Sequence, residues 1–356
     1  MTGFSGSYDP ADVTFLLKQV PVRELDVKEK ERFIQKEGGH YSQVLSPERA
    51  PSAAYLALFD RQLELSASRV AQDVRELAAQ IASRAPLSRK VTLVSLARAG
   101  TPVGVLVHRL LALGHESTHY CVSIFRDKGL DLNALDHIRR HHSDESIVFV
   151  DGWTGKGVVG RQLAADVAAY NLRHGAKVSG ALHVLADISG TAAVSATRDD
   201  YLLPSAILNG PVSGLVSRTV LNEHVGPTDF HGCTLLPHLQ SIDRTRAFVD
   251  RIWDELFRSR PAQPVVAGPA VDSFQLGRTI ERYMRGHGIT DVNLVKPGVG
   301  EATRVLLRRS PLLLSLRSKT DPYVEHLLQL AKEKSIPTVE DPTLPCRALA
   351  LIDSPD

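Results

Sequence analysis

The sequence predicts an α/β protein: a parallel sheet flanked by helices, with a smaller αβ unit after it. Three observations carry this expectation. Short, near-continuous apolar runs such as "KVTLVSL" (90–96) and "IVFV" (147–150) alternate with helical stretches, the pattern of strands covered on both faces. Proline and glycine stand where helices should begin and end, with Pro102 in a first turn and Gly114 and Gly175 at stops. The strand–helix rhythm breaks at "RSRPAQP" and resumes at "VVAG". The 356 residues therefore divide into a first domain over 1–257 with its core at about 88–210, a linker over 258–264 and a second domain over 265–356.

The elements follow in order. Residues 1–50 mix turn formers and polar residues without a long periodic segment. Tyr55, Phe59, Leu63, Val70, Val74, Leu77 and Ile81 recur at helical spacing and predict a helix over 52–83 that Pro86 closes. Then come a strand at 90–96, a turn at 97–100, a helix at 101–114, a second strand "HYCVSIF" (119–125), a polar stretch and a third strand at 147–150. A helix closed by Gly175 leads to a fourth strand over 177–187, and from 188 to 257 no regular order is legible. The second domain reads strand, helix, strand, helix, strand, helix, strand.

Composition bounds the function. Hydrophobic content of 43% and charged content of 23% are those of a globular protein, and a net charge of +2 confines any nucleic-acid surface to a local patch. The opening "MTGFSGSYDP" lacks the basic and apolar regions of a signal peptide. No stretch reaches the ~18 uninterrupted apolar residues of a membrane span. Cys121, Cys233 and Cys346 form no CxxC unit, which fits a reducing compartment. A cytoplasmic protein with no membrane partner is expected.

"IVFVDGWTGKGVVG" (147–160) is the most informative stretch. A P-loop fails twice, because Val150 stands where its first glycine belongs and Gly157 where its hydroxyl belongs. Gly155, Gly157 and Gly160 spell GxGxxG, but the next acidic strand end, Asp187, falls 187 − 160 = 27 residues on, where about 20 is expected. A third grammar suits a ribose 5-phosphate: an acid at a strand tip, then a Thr/Gly turn running into a helix. Turn N–H groups and the Thr154 hydroxyl would take the phosphate, and Asp151 the ribose hydroxyls. A second small-residue turn, "SLARAGTPVG" (95–104), carries one basic side chain, Arg98.

This pair of turns resembles the type I phosphoribosyltransferases. The resemblance implies a magnesium-dependent transfer of ribosyl 5-phosphate between pyrophosphate and a nucleobase-like acceptor. Ser95, Ala97, Arg98, Ala99 and Gly100 would hold pyrophosphate under a mobile basic loop with Arg126 and Lys128. Asp151, Gly152, Thr154, Gly155, Lys156 and Gly157 would hold the ribose phosphate, with Asp151, Arg98 and Lys128 catalytic. The family usually carries a second acid where this chain has Gly152. Four longer phrases, "FSGSYDPADVTFLLK", "EGGHYSQVLSPERAPSAAYLALF", "PVSGLVSRTVLN" and "DFHG", resemble the bacterial StiP family of tellurite-resistance and stress operons. That resemblance covers nearly the whole chain. It implies a phosphoribosyltransferase-like domain with N-terminal and inserted hood segments, joined to a Pelota-type RNA-binding domain. Aromatic and His side chains commonly sandwich a flat base, so Phe230 with His231 and His40 with Tyr41 are candidate walls of an acceptor pocket. The partners expected are phosphoribosyl pyrophosphate or a nucleotide-like ligand, RNA, and a second copy in a homodimer. Some StiP members carry the label cysteine protease.

In the second domain, Gly298, Glu301 and Arg304 share the spacing of the turn with which Pelota-like proteins grip RNA, and Lys296, Gly300 and Arg308 flank it. Residues 275–320 hold nine Lys/Arg and three acids, a surplus of 9 − 3 = +6 suited to phosphate contacts. Two other readings stay open. One is a non-catalytic sensor of phosphoribosyl pyrophosphate that regulates RNA binding. The other is a hydrolase with Cys233 as nucleophile beside His231 and His238. "HIRRH" places His137 and His141 four apart, but Ile138 stands where a metalloprotease needs glutamate.

Overall fold

The structure is a computed structural model that describes residues 3–36, 38–85, 89–258 and 270–353. Residues 259–264 of the expected linker, the "VVAG" strand and Pro86 lie outside the described residues.

The first domain is built on six parallel strands: β1 (Thr14–Phe15), β2 (Lys90–Leu96), β3 (Glu116–Val122), β4 (Ile147–Thr154), β5 (Leu182–Asp187) and β6 (Val194–Thr197). Their order across the sheet is β1-β3-β2-β4-β5-β6, so the chain runs outward in both directions from β2. Alternate side chains of β2 go to opposite faces. Val91 and Leu93 enter the core beneath α1 (Ala53–Arg84) and α2 (Thr101–Leu111), while Val94 and Leu96 join Leu163, Val167 and Tyr170 of α3 (Val158–His174). Both faces are therefore dry, as the uninterrupted apolar strands required.

Local signals set most boundaries. Ser52 caps α1 by accepting from the Tyr55 N–H, Pro102 occupies the first turn of α2, and Gly175 ends α3 at φ +61°. Four expectations are corrected. The helix from 101 stops at Leu111, before Gly114. The second strand begins at Glu116, and the fourth at Leu182. The third strand continues past Val150 to Thr154, because Trp153 and Thr154 pair with Ala186 and Asp187 of β5. The stretch from 188 to 257 supplies β6, a buried irregular run at 199–208, and α4 (Thr245–Leu256) against α1.

The second domain has α5 (Ser273–Gly286), β7 (Val295–Pro297), α6 (Val299–Arg308), β8 (Pro311–Leu316), α7 (Glu325–Glu333), β9 (Thr338–Glu340) and β10 (Ala348–Ile352). Its sheet order is β7-β10-β8-β9, with β10 antiparallel to both neighbours. The last strand, β10, sits in the middle of the sheet and goes beyond the expected seven elements. The two cores merge: Val299, Ala302, Val305 and Leu306 of α6 pack in the same apolar cluster as α1, α2 and α4.

Candidate functional site

The 155–157 turn lies under the second domain. A side chain on Gly155 would meet Glu301 and the Pro297 carbonyl at 3.6 Å, and one on Gly300 would meet the Trp153 indole at 3.4 Å. Arg304 lies over that indole, 4.8 Å from the ring centre. The polar groups of the turn are taken up by protein partners. Thr154 Oγ1 accepts the Gly157 N–H at 3.0 Å, and Lys156 Nζ donates to the Val292 and Val295 carbonyls at 2.9 and 3.3 Å. Burial, and then Lys296, lower the Lys156 ammonium to about 8. Gly157 adopts φ +69°, with Thr191 packed where a side chain would stand. Asp151 accepts the Gly152 N–H at 2.7 Å, and burial raises its carboxyl to about 6. Gly152 fits between Leu203 and the Ala99 carbonyl, 3.1 and 3.5 Å from an added Cβ, so a side chain there would have to displace the end of Leu203.

The 97–100 turn faces a different space. Arg98 Nη1 donates to the Val216 carbonyl at 2.8 Å and pairs with Glu48 at 2.6 Å. Ser95 is buried, its hydroxyl 2.8 Å from His119 Nε2, and Gly100 packs on the Val150 carbonyl. Arg98 opens onto a cleft of about 740 Å³ between the N-terminal segment, the 207–218 run and the end of α6. Among the described residues that line it, Lys30, Arg49, Arg98, Arg218 and Arg309 face one acid, Glu48, a surplus of 5 − 1 = +4. Arg218 Nη2 donates to the Tyr41 and Val44 carbonyls at 2.7 Å, whereas its Nη1 is buried without a partner. Burial, and then Arg218 and Arg309, lower the Lys30 ammonium to about 8.

The expected pocket walls separate. Tyr41 lines the cleft, and its hydroxyl donates to Asp127, which also pairs with His40 at 3.0 Å. Asp127 sits with Arg126 and Lys128 at the exposed tip of the 124–130 hairpin. Phe230 is a correction: it is 4% exposed and belongs to the core, against His137. The reason is its place beside the short 132–139 helix, which closes that face of the sheet. His231 turns to Ser123 Oγ at 2.9 Å, and its ring lies tilted, 5.2 Å from that of Phe125. Lys30, Arg49 and Arg218 were missed, and no spacing in the sequence links them.

The RNA-grip spacing forms, but it faces inward. Gly298 has φ +92° and packs against Ile188 and Asp200, Glu301 pairs with Arg304 at 3.3 Å, and Lys296 lies 3.8 Å from Glu301. Asp200 caps α6: its Oδ1 accepts the Val299 N–H and its Oδ2 the Arg347 N–H, both at 2.8 Å. Arg347 also pairs with Asp199 and, at 2.8 Å, with Asp321. The side chain of Arg308 lies outside the described residues.

Cys233 is fully buried, and burial raises its thiol to about 12. His231 is bonded elsewhere, and His238 Nε2 meets the Glu48 carbonyl at 2.8 Å, so the expected nucleophile–base pair is not formed. Cys121, on β3 beside Ser95, has a closer set: Thr101 Oγ1 at 3.2 Å, and Ser95, whose hydroxyl reaches His119. His137 and His141 have ring centres 5.0 Å apart, and no metal-holding group occurs among the described residues.

Comparison with known proteins places these features. A family model described as tellurite-like stress resistance cysteine protease StiP matches residues 6–253, and a PELOTA RNA binding domain model matches residues 275–354. The curated "Cysteine protease StiP" of Acinetobacter baylyi is 37% identical over 366 residues, covering 98% of this chain and 94% of that protein. A Helicobacter pylori xanthine-guanine-hypoxanthine phosphoribosyltransferase is 18% identical over 35% of this chain and 74% of that one, at a TM-score of 0.26 too low to carry weight. The expectation of phosphoribosyl transfer, with its enzyme class, is corrected: the matched family and the curated relative are both described as cysteine proteases. The packed Gly152 and covered 155–157 turn agree with that correction. No described helix is long and apolar enough to cross a membrane.

Proposed function

We propose that this chain, which belongs to the StiP family, is an RNA-binding protein acting through its Pelota domain. The observation that carries the reading is the match of residues 275–354 to a PELOTA RNA binding domain, whose first part, 275–320, holds nine Lys/Arg against three acids. Such a surplus favours polyanions through counterion release. The full chain is expected to bind a labelled mixed-sequence RNA 20-mer in fluorescence anisotropy, with affinity falling steeply as salt rises. The reading fails if no binding appears at low salt, or if heparin of equal charge competes as well as RNA does.

A second reading follows the family description and is favoured by the Cys121 surroundings. Here Cys121 is the nucleophile of a peptide hydrolase, with His119 as base through Ser95. The thiolate would add to a peptide carbonyl, the amine would leave with the proton, and water would release the acid from the thioester. Burial raises the thiol to about 12 and lowers His119 to about 3, so this chemistry requires the 97–100 turn to open. Iodoacetamide is then expected to label Cys121 in the native chain, and Cys121→Ala to abolish casein hydrolysis. Native thiols that label only in urea, with hydrolysis absent from wild type and variant alike, would remove this reading.

A further inference from the structure

We infer that RNA enters as an unpaired strand, with its phosphates in the 740 Å³ cleft between the two domains; this rests on the RNA-binding reading. The expected grip is closed by its own chain. Gly300 lies on Trp153, Arg304 covers the same ring, and the Asp200 carboxylate occupies the α6 N-terminus, where an anion would otherwise bind. The turn itself is therefore closed, and the cleft is where both domains bring cationic side chains together. Lys30 comes from the N-terminal segment, Arg98 from the end of β2, Arg218 from the long insertion and Arg309 from the residue after α6.

Among the described residues that line the cleft, these cations outnumber the acids. Glu48 is already held by Arg98 and by the Gly210 N–H at 3.1 Å. Arg218 keeps one buried Nη1 without a partner. Lys30 lies close enough to Arg218 and to Arg309 to be repelled by both. A surplus of four like charges around one cleft fits a ligand that supplies several negative charges at short intervals, as a sugar–phosphate strand does.

Shape decides the form of the RNA. A volume of 740 Å³ is that of sites for drug-sized ligands, about 300–1,000 Å³, so it takes a few splayed nucleotides and excludes an A-form helix. Tyr41 and Tyr55 supply aromatic wall beside the charges, as unpaired bases require.

The test compares a labelled unstructured 10-nucleotide RNA with a blunt 12-base-pair RNA duplex on the full chain. Lys30→Glu with Arg309→Glu is expected to weaken strand binding at least tenfold and to lower the salt slope by roughly one to two. Arg173→Glu, an equal reversal on the exposed end of α3, is expected to change it less than twofold. The duplex should bind more weakly than the strand. Duplex binding as tight as the strand overturns the unpaired-strand assignment, and AMP or pyrophosphate competing as well as the strand would make this a small-molecule site. Strand binding that survives the double reversal removes only the cleft. Absence of any RNA binding by the wild type removes the RNA-binding reading itself.

Discussion

Replacing Arg347 by alanine is expected to lower the unfolding free energy by about 3–5 kcal/mol, the cost of breaking a buried ion pair and leaving its partner charged. Arg347 is 5% exposed and joins two carboxylate-bearing stretches, 199–200 and 321. It pairs with Asp199, donates to the Asp200 carbonyl, reaches Asp321 at 2.8 Å, and lies 4.9 Å from the centre of the Tyr323 ring. Asp199 is also held by Arg69 of α1, at 3.3 Å, so the network ties the first domain to the second. Removal of Arg347 leaves Asp199 with less compensating charge in a dry interface. Asp199→Asn in the Arg347→Ala background should therefore recover part of the loss, a coupling that urea unfolding of all four chains measures directly. A loss below about 1 kcal/mol for Arg347→Ala would mean that water reaches the network, as at a surface pair.

The parts of the fold that one strand or helix decides by itself were legible. β2 is mostly apolar because both its faces are covered, with only Thr92 and Ser95 polar among its buried residues, and α1 shows its apolar stripe in sequence. The end of β4 was not legible, because Asp151 and Gly152 are residues that strands disfavour, and pairing with β5 holds this stretch extended. Tertiary pairing overrode local propensity there. The site failed for a related reason. "DGWTGKG" has the composition of an anion turn, yet its loop is closed by Pro297, Gly300 and Glu301, which lie far along the chain. The cleft cations come from four separate segments, so no motif search joins Lys30 to Arg218 or Arg309. The signals near them were the turn "SLARAGTPVG", which holds Arg98, and two phrases of the family resemblance, "EGGHYSQVLSPERAPSAAYLALF" with Arg49 and "PVSGLVSRTVLN" with Arg218. Phe230 and His231 are neighbours in sequence, but one faces the core and the other Ser123.

Acid should act on this protein through His326, and the sign follows from its hydrogen bonds. Thr303 Oγ1 donates to the Val299 carbonyl at 2.7 Å, so it accepts from His326 Nε2–H at 2.8 Å. Nδ1 is then an unprotonated nitrogen, buried without a partner, and a proton there would be a charge with no acceptor. Burial accordingly lowers the imidazole from its ordinary 6.5 to about 3. Above pH 6.5 the ring is neutral in both the folded and the unfolded chain, and it adds no pH dependence. Below 6.5 the unfolded chain takes up a proton that the folded chain refuses, so stability is lost as pH falls toward 3, by about 1.4 kcal/mol per unit. Asp151 and Asp200 act in the opposite direction: each is raised from 3.8 to about 6, and stability is regained as they protonate between those values. The wild-type profile therefore mixes the two, and the histidine is isolated by difference. His326→Gln keeps a donor for Thr303 and cannot titrate. Wild type minus variant, measured by urea unfolding, should be constant between pH 8 and 7 and should fall by about 2–3 kcal/mol between pH 6.5 and 4.5. A difference that stays flat over that interval would mean that the folded ring accepts its proton, and that the 303–326 contact opens in acid before the chain unfolds.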